Sequence, residues 1–162
     1  MASGGMIARL GVAALVSGAA AGTLLPLAIF LGGLLAGSAA SWWGFAMLID
    51  WLQVGFVAGL VVATLPAFFA GASMWALGAS FDSARRPSAW AVAGAAVGGA
   101  GWALLGLAIG RLDGGGGLDA FEAAILAATL AAGAGAALAF LGAMRLMGRL
   151  FGFEEESEAW GP

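Results

Sequence analysis

The sequence predicts an all-α integral membrane protein, a four-transmembrane-helix bundle with both termini cytoplasmic. Three observations predict it. Four stretches carry no charge: Leu10 to Ile49, Trp51 to Phe81, Pro87 to Gly110 and Ala123 to Met144. Each can cross a hydrocarbon layer about 30 Å thick, which takes roughly 20 helical residues. With 62% apolar and only 9% charged residues, the chain cannot cover the water-facing surface that a soluble domain of 162 residues needs. All six positive charges are arginines, and all lie outside those stretches.

The first stretch would run about 60 Å as one helix, so it must contain a break. Gly37-Ser38-Ala39-Ala40-Ser41 gathers small and polar residues, and Ser41 is suited to cap the next helix. The expected spans are about 10–36, 54–77, 88–110 and 119–147. Trp42 to Leu52 is expected along the interface before the second crossing. Pro87 suits the first turn of the third helix, where a missing N–H costs nothing. Asp119 and Glu122 have the spacing of an N-cap and its partner, and both suit the positive end of the helix dipole. The glycines at 114–117 have no conformational preference, and no Lys-Ser/Thr comes after them as a phosphate-binding loop requires. Residues 1–152 thus form a single transmembrane domain, and 153–162 an acidic disordered tail.

Arginine placement sets the orientation, because positive residues in short loops stay on the cytoplasmic side. One side receives Arg9, Arg85, Arg86, Arg145 and Arg149, the other Arg111 alone. Trp42, Trp43 and Trp51 then mark the outer interface, and Trp75, Phe81 and Trp90 the inner one. Arg9 with Ala19-Ala20-Ala21 imitates a cleavable signal, but the apolar run continues to Ala36, beyond a typical signal core. This segment is expected to remain as a span.

Composition excludes much chemistry. Without Cys and His there are no usual haem, chlorophyll, zinc, copper or iron–sulfur ligands, and Lys and Tyr are missing too. No catalytic, cofactor-binding or metal-binding residue is therefore expected, and the chain is read as not an enzyme. The net charge of −3 stems largely from Glu154, Glu155, Glu156 and Glu158, so it implies no nucleic-acid partner. That strip could instead dock a partner through Trp160. Arginine without lysine, amid abundant Ala and Gly, is compatible with a GC-rich bacterial genome.

Asp50 lies between two long apolar runs, with Gln53 on the same helical face. Deep in a bilayer an acid costs about 2.5 to 3.5 kcal/mol and marks a proton or cation path. If the helix crosses from Val54, Asp50 sits among the outer headgroups and is simply hydrated. Thr23 with Pro26, and Thr64 with Pro66, place a hydroxyl near a helix-breaking proline. Transporters use paired broken helices at binding sites, whereas kinks that aid packing are the simpler reading. Met144 and Met147 fit packing better than soft-metal binding.

Small residues four apart recur: Gly18 and Gly22, Gly33 and Gly37, Gly55 and Gly59, Gly94 and Gly98, Gly106 and Gly110, with Ala123, Ala127 and Ala131 in the fourth span. Such spacing lets helix backbones approach in lipid. The buried glutamate that marks the first helix of small multidrug exporters is absent. The expected partners are the lipid bilayer and other membrane-protein subunits, met through Gly/Ala-rich faces. The expected function is a non-catalytic accessory or assembly/stabilising subunit of a larger complex in a bacterial inner membrane. The alternative is a small oligomeric transporter or channel with Asp50 and Gln53 near its outer mouth.

Overall fold

The computed structural model describes residues 3–35, 45–108 and 120–150, nearly all of them helical. Helix α1 is Ser3–Leu35, α2 is Phe45–Ala58 and α3 is Thr64–Ser80, with a π-helical turn, Gly59–Ala63, between the last two. That turn joins α2 and α3 into one continuous rod. A 3-10 turn, Asp82–Arg85, leads to α4, Pro87–Ala108, and α5 is Ala120–Leu150. Gly5–Gly32, Met47–Ser80 and Glu122–Leu150 are each long and apolar enough to cross a membrane. The proposed break at 37–41, Trp42, Trp43, Asp119, the glycines at 114–117 and the acidic tail lie outside the described residues.

The rod that holds the second expected span already begins at Phe45. No Gly or Pro stands between Phe45 and Val54 to interrupt it, so residues 45–52 form its opening turns, continuous with the segment expected to cross from Val54. At the other end, Pro87 occupies the first turn of α4 as expected. Arg86 provides the cap, its carbonyl accepting from the N–H groups of Ala89 and Trp90. The turn before it is tied down by Arg85, whose Nε donates to the Gly78 carbonyl at 2.7 Å. A cation on the carbonyl end of α3 complements the helix dipole.

The α2–α3 rod packs on α1, α1 on α5, and α5 on α4. The main core lies toward one end of the bundle's long axis and draws on every helix of this row except α2. Leu10, Ala13, Ala14, Trp90, Phe140, Leu141 and Met144 form it, with Phe68, Trp75 and Met147 packed against them. Met144 is 1% exposed, consistent with packing as its role. The helix ends that carry Arg9, Arg85, Arg86, Arg145 and Arg149 all gather here.

Trp90, expected near the inner interface, is turned into the protein. It is buried, its ring stacked on Phe140 with centroids 5.6 Å apart, and its Nε1 donates to the Ala84 carbonyl at 3.0 Å. A carbonyl within reach satisfies the indole N–H that otherwise draws tryptophan to the headgroups. Phe81 and Trp51 do remain exposed.

Glycines make the closest helix contacts. Gly18 and Gly22 of α1 face Gly55 and Gly59 of the neighbouring rod, and a methyl added at Gly22 would meet the Gly55 carbonyl oxygen. Gly94 and Gly98 of α4 face Gly133 and Thr129 of α5 in the same way. Such approach admits Cα–H···O contacts and close van der Waals packing. The alanine face expected on the last helix is different. Ala123, Ala127 and Ala131 are exposed, and Ala128, Ala132 and Ala136 are buried instead. The stripe is fixed by continuity with Phe140 and Met144, which lie four and eight residues beyond Ala136 on that face.

Candidate functional site

The polar residues singled out in the sequence divide between two places. Thr23 and Gln53 line one recess of about 390 Å³ between α1 and α2, together with Ile49, Leu52, Phe56 and Val57. Asp50 is exposed and stands one turn nearer the start of α2, outside that lining. Thr64 lies beyond the π turn, where its Oγ1 faces Gly18. The four side chains therefore do not converge on a single path within one chain.

The recess is lined almost wholly by carbon. The Thr23 hydroxyl donates to the carbonyls of Ala19 at 3.0 Å and Ala20 at 3.1 Å in its own helix. Only Gln53 offers an amide to the recess, and it is itself exposed. Chemically this is a shallow slot for hydrocarbon, such as an acyl chain or an apolar side chain from a neighbour. Among the described residues the carboxylates Asp50, Asp82 and Glu122 form no group of three that could hold a metal ion.

Pro66 explains the π turn. Proline has no N–H to donate and its ring crowds the carbonyl four residues back, here Val62. The wider turn at Gly59–Ala63 moves the preceding carbonyls aside, and the Thr64 hydroxyl donates to the Leu60 carbonyl at 2.6 Å. The extra residue also rotates everything after it by about 100°. The face that meets the rest of the protein thus runs through Gly55 and Gly59, then Thr64, Phe68, Gly71 and Trp75. Without the inserted residue, Ala63 and Pro66 would occupy that face. Pro26, by contrast, is buried inside α1, which continues helical on both sides of it.

Two features escaped sequence reasoning. One is the wedge of Phe140 between Trp90 and Gly71, where the ring occupies the space a methyl on Gly71 would need. A glycine in a helix opposite a lone aromatic is a weak signal, but it was present. The other is the burial of Arg9, which keeps only 8% of its surface exposed. The sequence marked it only as a charge on the cytoplasmic side. No family model, curated protein or solved structure matches the chain.

Proposed function

We propose that the chain is a non-catalytic accessory or assembly/stabilising subunit of a larger complex in a bacterial inner (cytoplasmic) membrane. One observation carries this reading. The α2–α3 rod is closed against α1 along its glycines, while its opposite face leaves Val54, Val61, Val62, Leu65 and Phe69 between 62% and 74% exposed. A long uncovered apolar face on an otherwise unreactive helix is suited to lipid and to the helices of other subunits. Purification of the tagged chain from its native membrane in mild detergent is expected to bring unrelated membrane subunits with it in fixed ratio. Recovery as a homogeneous homo-oligomer alone would count against the proposal.

The membrane arrangement we infer has four crossings, α4 included, with both termini cytoplasmic. Helix α4 has 22 residues, about 33 Å at 1.5 Å per residue, enough for the hydrocarbon layer. The clustering of five arginines at one end supports the orientation. Reporter fusions after Leu150 and after Pro162 are expected to be active only as cytoplasmic reporters. Activity restricted to the opposite side would overturn the arrangement.

The rival reading is a small oligomeric transporter or channel with Asp50 and Gln53 near its outer mouth. It draws support from Thr23 and Gln53 sharing one recess. The carbon lining of that recess favours the accessory role, because a hydrated path needs more polar groups to replace water. Asp50→Asn is expected to leave complex assembly unchanged. A lost, proton-dependent flux in that variant would revive the transporter.

A further inference from the structure

We propose that the outward face of the α2–α3 rod receives one transmembrane helix of a different subunit, and that this helix carries an arginine or lysine level with Asp50. Asp50, Val54, Val61, Leu65 and Phe69 are all exposed and stand four or seven residues apart along the rod. Helical residues so spaced lie on one side. In a plain α-helix Phe69 would stand about 100° off the line through Asp50, and the residue inserted at the π turn brings it back. The resulting track is about 28 Å long at 1.5 Å per residue, close to the thickness of the hydrocarbon layer. Its occupant is therefore a helix that crosses completely. This proposal rests on the subunit reading and adds the chemistry of the partner.

Charge at the end of the track decides between occupants. Asp50 lies at the end of the rod opposite the arginines, and no cation among the described residues pairs with it. A second copy inserted the same way round would set Asp50 against Asp50 across a two-fold contact, where like charges repel. None of the described arginines of such a copy stands at that level. Phospholipid headgroups place a phosphate there, which the carboxylate also repels. A basic residue on a foreign helix answers the acid while its apolar turns cover the track. Arginine and lysine reach headgroup depth readily, because their stems are apolar. Val54 and Val61 suit a packed helix, since β-branched side chains hold nearly one rotamer in a helix and lose little freedom when covered.

The test is photocrosslinking of the full chain in its native membrane, with benzoylphenylalanine in place of Leu65 or, as a control, of the exposed Leu104 on α4. The probe at Leu65 is expected to give one discrete adduct. Its linked peptide should lie in a crossing helix of another polypeptide, with Arg or Lys within a turn of the outer end. Asp50→Lys should cut this adduct about tenfold, as expected for turning attraction into repulsion, and changing the partner's basic residue to Glu in that background should restore it. Asp50→Asn keeps an oxygen that accepts from the partner's cation and should retain most of the adduct. Should Asp50→Lys disturb insertion, Val61→Trp alters only the exposed track and is expected to lose the adduct as well.

An adduct with a second copy of the chain, or with lipid alone, overturns the proposal. So does a foreign helix without a basic residue at its outer end, or an adduct that neither Asp50→Lys nor Val61→Trp diminishes. Unrelated subunits that co-purify while the Leu65 probe stays silent, or while Leu104 alone reacts, would sink this docking face and leave the subunit reading standing. A chain recovered only as a homo-oligomer would instead sink the subunit reading itself, a separate result.

Discussion

Gly22→Leu is expected to unfold the α1–α2 pair, lowering stability by more than about 3 kcal/mol, above the usual range for overpacking a core. The reason is the partner of the new side chain. Even a methyl at Gly22 would meet the backbone carbonyl of Gly55 and the Cα of Gly59, and backbone cannot rotate aside as a flexible side chain can. The two helices must separate, and with them go the contacts of Gly18 with Gly59 and Thr64. Gly11→Ala, Gly32→Ala, Gly101→Ala and Gly142→Ala are the controls. An added methyl at these glycines meets nothing within 4 Å. Relief of glycine's poor helix propensity should leave them neutral or stabilised by up to about 1 kcal/mol. Thermal unfolding in detergent separates the two groups. A Gly22→Leu protein that melts with the wild type would remove the glycine contact from the account of this fold.

Phe140→Ala is the second large effect, at about 3–5 kcal/mol for truncating a buried aromatic. Phe140 is 1% exposed, stacks on Trp90 and fills the space over Gly71, so its removal opens a void where three rods meet. Phe69→Ala should cost far less, because that ring is 62% exposed and lies on the uncovered face. The pairing with Gly71 gives a sharper check. Gly71→Leu alone would drive a side chain into the Phe140 ring, whereas Gly71→Leu combined with Phe140→Ala supplies volume where it was lost. The double variant is expected to be more stable than either single one, a non-additivity diagnostic of direct contact. Additive losses would show that Phe140 does not fill the Gly71 site.

Much of the candidate site was legible in outline. A threonine two positions before Pro66 signalled a disturbed helix, and the structure has a π turn there with Thr64 bonded to the Leu60 carbonyl. The consequence was not legible. Proline chemistry says that the preceding turn is disturbed, but not that it widens at Pro66 and stays α-helical at Pro26, nor that the rotation brings Thr64, Gly71 and Trp75 onto the face begun by Gly55 and Gly59. Thr23 and Gln53 line one recess, away from Asp50 and Thr64, because of how α1 packs on α2.

The sequence by itself determined which segments are apolar, where α4 begins and how charge is distributed. Long uncharged runs are apolar enough to cross a membrane, Pro87 begins a helix, and arginines mark one end of the bundle. It also named small residues that touch, as at Gly18, Gly22, Gly55 and Gly59. Only the tertiary structure decided which side of each helix faces inward. In lipid both faces of a helix are apolar, so the polar–apolar contrast that reveals the inner face of a soluble helix is missing. Ala123, Ala127 and Ala131 read the same as Ala128, Ala132 and Ala136. The choice between them was made by where Phe140 found room between Trp90 and Gly71, a matter of shape that no local pattern carries.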